Sequence, residues 1–147
     1  YASVSLEQAL DNNRFDETMV DEIEPHLGVK TPTFLHDYPA SLAALARLKP
    51  GCPSVAERFE IYVGGVELAN GFSELNDAHE QRKRFEKELK QRALLGKRVS
   101  PIPERFLKAL ENMPEAAGIA LGLDRLVMVF GNARTIDEVV AFTPEEV

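Results

Sequence analysis

The sequence predicts an α+β fold built on an antiparallel sheet flanked by helices. Two apolar segments of strand character, Phe59 to Val63 and Val66 to Phe72, are joined by Gly64-Gly65, the composition of a tight hairpin turn. A third short apolar run, 117–121, passes through Gly122 directly into a helix. The recognisable strands are thus linked by a hairpin rather than by helical crossovers, which argues for an antiparallel sheet.

The other elements follow in chain order. Asp16 to Leu27 reads as a short amphipathic helix: Asp16 stands at the N-cap, Met19, Val20, Ile23 and Leu27 form the apolar face, and Gly28 stops it. Thr31 to Tyr38 carries alternating Thr33 and Leu35 with a proline at each flank, the signature of a short strand. Residues 39–54, with Pro39, Pro50, Gly51 and Pro53, read as a loop around one short helical turn. A long helix runs from Asp77 to Leu95, with Asp77 and Glu80 spaced as a capping box and Gly96 as the stop. Its apolar stripe is Ala78, Phe85, Leu89 and Ala93, and its alternating charges mark a solvated face. A second helix follows Pro101-Ile102-Pro103, with Phe106, Leu107 and Leu110 inward, and ends before Pro114. Strand 117–121, helix 124–131 and a short helix from Thr135 close the chain.

Composition narrows the functional class. At 147 residues, with 44% hydrophobic and 28% charged, the chain is one domain or a piece of a larger one. It begins at Tyr1 without a charged-then-apolar leader. The most apolar stretch, 116–130, is broken by Asp124 and Arg125, so no membrane span is expected. The single Cys52 forms no intrachain disulfide, which fits a reducing cytoplasm. A net charge of −7 argues against a broad nucleic-acid face, and His26, His36 and His79 share no metal-ligand spacing.

Chemistry concentrates in the hairpin and in the last strand-to-helix turn. If Gly64-Gly65 is a two-residue turn, Glu60 and Glu67 share one face, roughly 7–8 Å apart at the backbone. They are then either solvent-facing acids or a pair able to lean together on a hard cation such as Mg²⁺. Asn70, Phe72 and Glu74 share a face with one another, but by strict alternation not with Glu67. One pocket containing all of them requires a bulge or kink between Glu67 and Gly71. An amide, a ring and a carboxylate together suit a cationic amine; alternatively Phe72 is core and Glu74 opens the next loop. Gly122 suits a close approach of backbone to a ligand. Arg125 sits in a helix first turn, where the dipole disfavours a cation unless an anion offsets it. A nucleotide triphosphate would do so, and Asp124 would serve equally well.

Together, Arg58-Phe59-Glu60 through Glu67-Leu68-Ala69-Asn70-Gly71-Phe72-Ser73-Glu74-Leu75-Asn76-Asp77 and Gly118-Ile119-Ala120-Leu121-Gly122-Leu123-Asp124-Arg125 resemble class II aminoacyl-tRNA synthetases of the lysine subgroup. The second segment resembles their motif 3; the likeness covers residues 32 to 144. Where lysyl-tRNA synthetases typically carry glycine, this chain has Ala120. That is similar to the paralogous branch that joins β-lysine to elongation factor P, and the end at Val147 fits the same branch.

The resemblance implies that Glu60 and Glu67 bind a Mg²⁺–ATP complex and that Leu68 lies along the nucleotide. Gly122 would let backbone approach it, and Arg125 would hold the γ-phosphate. Asn70 and Phe72 would position the amino acid beside Ala120, with Glu74 on its side-chain ammonium. It further implies activation of lysine or β-lysine as an adenylate, a cytoplasmic homodimer, and elongation factor P as acceptor, or tRNA(Lys) in a true lysyl-tRNA synthetase. The family's motifs 1 and 2 are not found here, so residues 1–147 are expected to be one partial catalytic domain, inactive alone. A non-catalytic synthetase-like binding module is the remaining alternative.

Overall fold

In the computed structural model, residues 1–12 and 14–143 are described, so the end at Val147 lies outside them. Among the described residues the sheet is five-stranded and antiparallel. Its strands are β1 (Thr33–Pro39), β2 (Leu48–Lys49), β3 (Cys52–Val63), β4 (Val66–Ser73) and β5 (Ala117–Leu121). Their order is β1-β3-β4-β5, with β2 paired to β3 beside the main path. The helices are α1 (Leu6–Asp11), α2 (Phe15–Thr18), α3 (Ala78–Leu94), α4 (Glu104–Leu110) and α5 (Leu123–Gly131). The expected α+β class is therefore observed.

The chain divides into two compact units, Tyr1–His36 with Phe59–Asn70 and Ile119–Val147, and Asp37–Arg58 with Gly71–Gly118. The core of the first is built on Ala9, Met19, Tyr62, Leu68, Ala69 and Met128. In it Gly64 (φ 61) and Gly65 (φ 80) both take left-handed conformations. Such a turn twists with the strands it joins, which is why the sequence spends two glycines there. The hairpin tip is docked: the Gly64 N–H donates to Gly28 O and the Gly65 N–H to Leu27 O, both at 2.8 Å.

The second unit buries Tyr38, Ala43, Ala46, Ala56, Leu75, Leu107 and Leu110. Helix α3 is capped by Asp77, whose carboxylate accepts from the His79 and Glu80 N–H groups at 2.9 and 3.0 Å. At its other end Gly96 (φ 66) donates to Ala93 O, and Lys97 to Arg92 O, the paired bonds of a Schellman motif. The Glu80 N–H, together with other causes including the His79 N–H, holds the Asp77 carboxyl below its usual range. Its stabilising effect is therefore present above the ordinary aspartate value and lost as pH falls through the lowered one. Asp77→Ala should cost about 1 kcal/mol. Chemical denaturation at neutral pH checks it, and the difference from the parent should shrink on acidification.

Several sequence expectations are corrected. Residues 16–27 are not one α-helix: α2 passes into a π turn at Met19–Ile23 and a 3₁₀ turn at Glu24–His26. Pro25 has no N–H to continue the ladder, and Asp16 lies inside the first turn rather than at the cap. Helix α1, with its Ser5–Gln8 capping box, was not foreseen. Residues 39–54 contain β2 and the start of β3, so Cys52 lies in a strand rather than a loop. Asp77 caps α3 without the reciprocal half of the box, because the Glu80 carboxylate instead accepts from Arg84 Nε at 3.0 Å. Phe106 is exposed, with its ring 6.1 Å from Phe85, while Gln81 is the buried residue of α3.

Candidate active site

In the first unit, alternation along β3 sets Glu60 and Tyr62 on one face. Glu60 is 7% exposed and Tyr62 fully buried. A buried carboxylate is costly unless donors meet it. Here the Tyr62 hydroxyl donates to Glu60 Oε2 at 2.6 Å, and the Asn70 amide donates to Oε1 at 3.3 Å. Strict alternation from the Gly64-Gly65 turn would put Glu60 and Asn70 on opposite faces, yet they bond. Leu68 and Ala69, adjacent in sequence, are both buried as well. The Glu60–Asn70 bond is thus a departure from simple alternation along β4.

The Tyr62 hydroxyl also lies 3.2 Å from Glu24 Oε1. Burial pushes the Glu24 carboxyl above its ordinary value, opposed by the Tyr62 bond and reinforced by the charges of Glu60 and Glu67. Arg125 acts in the opposite sense. The charges of Glu60, Glu67 and Arg125 thus all reach the Glu24 carboxyl.

Arg125 occupies the first turn of α5, next to Gly122 at the N-cap. Its Nη1 donates to the Glu67 carbonyl at 2.9 Å and stands 3.4 Å from Glu67 Oε2. Part of the anion that the helix dipole demands is thus supplied by the protein. The Gly122 N–H donates to Leu68 O at 2.8 Å, tying the end of β5 to β4. A Cβ at Gly122 would stand in ordinary contact with Arg125 Cδ at 3.4 Å, so the protein's own packing does not demand glycine there. Ala120 is exposed on β5.

Phe72 and Glu74 belong to the second unit, where both are half-buried. The Glu74 N–H donates to Ala116 O at 2.9 Å, and a Cβ on Gly118 would come within 2.8 Å of Glu74 Oε1. Gly118 therefore gives the Glu74 carboxylate its room. Of the sequence-predicted residues, the structure joins Glu60 to Asn70, Glu67 to Arg125 and Leu68 to Gly122. Sequence reasoning missed Glu24 and gave Tyr62 no role. Tyr62 had a signal, two residues from Glu60 on one strand; Glu24 had none.

Among the described residues, no three His, Cys, Asp or Glu side chains are grouped to hold a metal ion by themselves. Two carboxylates fit magnesium nonetheless, because that ion is commonly held by one or two carboxylates plus phosphate oxygens and water. No helix among these residues is long and apolar enough to cross a membrane.

Over residues 3–146 the chain matches the family described as tRNA synthetases class II (D, K and N). This chain belongs to that family. The match begins well before residue 32, so the N-terminal helices belong to it as well. Among curated relatives, the chain is 52% identical to the elongation factor P–(R)-β-lysine ligase of Proteus mirabilis, covering 84% of this chain and 38% of the relative. The protein of the same name from Photorhabdus laumondii is also 52% identical, over 82% of this chain and 38% of the relative. That from Edwardsiella ictaluri is 45% identical over 97% of this chain and 46% of its own length. The chain thus spans less than half the length of these ligases.

Proposed function

We propose that this polypeptide is a partial catalytic domain whose complete protein activates lysine or β-lysine as an aminoacyl-adenylate and transfers it to a lysine of elongation factor P. The observation that carries this reading is the junction of Arg125 with Glu67 beside Gly122, next to the buried Glu60–Asn70 pair. It sets one cation and two carboxylates around a backbone turn, the parts that a magnesium–triphosphate needs. The names of the relatives support β-lysine and elongation factor P over other pairs.

Glu60 and Glu67 would hold the magnesium ion, which supplies charge neutralisation to the phosphates. Arg125 turns from Glu67 toward the γ-phosphate. Leu68 and Gly122 line the nucleotide, and Asn70 positions the amino acid near Ala120. The substrate carboxylate oxygen then attacks the α-phosphorus in line. The bond to the β-phosphate bridge breaks and pyrophosphate leaves with its electron pair. The acceptor lysine amine subsequently attacks the acyl carbon and releases AMP. The protein contributes position and charge rather than a nucleophile. The complete protein would be a cytoplasmic homodimer.

ATP–pyrophosphate exchange by the complete protein with α-lysine and β-lysine, followed by acceptor assays with elongation factor P and tRNA(Lys), tests this. Preference for β-lysine and elongation factor P is expected. Charging of tRNA(Lys) instead would move the protein to the true lysyl-tRNA synthetases, and exchange with neither isomer would make it a binding module. Ala120→Gly should shift the ratio of kcat/KM toward α-lysine by about 1–3 kcal/mol at most. An unchanged ratio removes Ala120 from the specificity residues.

A further inference from the structure

Glu24 reaches Tyr62 across the chain from a segment that the hairpin itself holds in place. The 3₁₀ turn at Glu24–His26 is closed by the Leu27 N–H on Glu24 O at 3.0 Å. Leu27 and Gly28 then accept the two hairpin-tip N–H groups at 2.8 Å. A Cβ on Gly65 would stand only 3.2 Å from Pro25 O, and one on Gly28 only 2.3 Å from Tyr62 O. Backbone contacts on both sides therefore fix where the Glu24 side chain starts, before it makes any bond of its own. From there its carboxylate meets the hydroxyl of a fully buried tyrosine that donates to Glu60.

The phenol has a single hydrogen, donated mainly to Glu60 Oε2 at 2.6 Å and shared, as the longer branch of a three-centre bond, with Glu24 Oε1 at 3.2 Å. With Glu24 on one side and Glu60 on the other, the hydroxyl has a defined direction. The Glu60 carboxylate is then held through Oε2 by Tyr62 and through Oε1 by Asn70. From this juxtaposition we propose that Glu24 is a positioning residue that, through the Tyr62 hydroxyl, fixes the plane of the Glu60 carboxylate for a divalent cation. This rests on the reading of Glu60 as a magnesium ligand given above. Partners at one remove from a metal ligand typically matter about 10–100-fold in metal affinity.

The test uses the complete protein with saturating ATP and Mn²⁺ as probe, free Mn²⁺ being read by electron paramagnetic resonance. Glu24→Asp keeps the charge but withdraws the carboxylate by one methylene. It should raise the Mn²⁺ dissociation constant about tenfold, whereas Glu24→Gln, which keeps an acceptor at the same reach, should stay near the parent. In a Tyr62→Phe background Glu24→Asp should add nothing, because the relay is already cut. In metal-free protein, carbon NMR of ring-labelled tyrosine should show the Tyr62 Cζ resonance moving in Glu24→Asp. A Glu24→Asp effect undiminished in the Tyr62→Phe background, or none in either, overturns the proposal. Glu60→Gln is the control. If it weakens Mn²⁺ and Glu24→Asp does not, the positioning role alone falls; if Glu60→Gln changes nothing, the ligand reading falls and takes this proposal with it.

Discussion

Gly28→Ala is expected to destabilise the protein by about 2–5 kcal/mol, the upper part of that range being reserved for a few mechanisms. Two of them operate here. Gly28 has φ 70, a left-handed conformation that costs an L-residue roughly 1–2 kcal/mol. The new Cβ would also fall 2.3 Å from Tyr62 O, 2.5 Å from Tyr62 C and 2.7 Å from Val63 Cα. All three are backbone atoms of a strand, so no side chain can swing away, and overpacking adds about 1–3 kcal/mol. The carbonyl of the same residue receives the Gly64 N–H, so any shift also loosens the hairpin tip. Gly96→Ala provides the comparison. It has a similar φ of 66 but nothing within 4 Å of the new Cβ, and should cost only about 1–2 kcal/mol. Urea midpoints followed by circular dichroism measure both, with unchanged slopes confirming that folded stability is being read. Equal midpoints would show that the Tyr62 contact is not what demands glycine at position 28.

Arg125→Ala should lower kcat/KM for ATP–pyrophosphate exchange by the complete protein about 10²–10³-fold, with little loss of stability. The two halves of that expectation come from different observations. The guanidinium is half exposed and its contact with Glu67 Oε2 is long, at 3.4 Å, which limits the ion pair to about 1 kcal/mol or less. Its use lies in being aimed from a helix first turn where the dipole already favours an anion, so a phosphate adds to what Glu67 begins. Arg125→Lys should not restore the rate, because a point charge on a flexible stem lacks the planar fork that grips phosphate oxygens. Exchange kinetics and a thermal melt of the same variants decide the matter. A large drop in melting temperature with a small rate effect would make Arg125 a structural residue of the β4–α5 junction.

Much of the architecture was legible locally. Gly64-Gly65 demanded a hairpin and received left-handed φ values; Asp77 and Gly96 bounded α3 as cap and stop. Gly122 delivered the strand of residues 117–121 into the helix bearing Arg125. What failed, failed where two local signals competed or where pairing overrode them. Across residues 16–27 the apolar period argued for an α-helix, but Pro25 withheld an N–H and the backbone changed its bonding pattern. Around Cys52, Pro and Gly argued for loop. Pairing of Lys49 with Cys52 drew the segment into β3 all the same, with Pro53 near the strand start where a missing donor is tolerated.

The sequence by itself determined the fold class, and the motifs at residues 58–77 and 118–125 carried the likeness to the family. The fold class follows from residue spacing along one or two neighbouring elements, which the chain's periodicity encodes. Only the tertiary structure decided that Glu60 is buried, that Asn70 bonds to it despite the strand's alternation, and that Glu24 completes the chain of contacts through Tyr62. Glu24 and Tyr62 are brought together when the hairpin tip docks on Leu27 and Gly28. No local pattern reports such a closure, because its free energy is collected from backbone contacts distributed across the unit rather than from the side chains it juxtaposes.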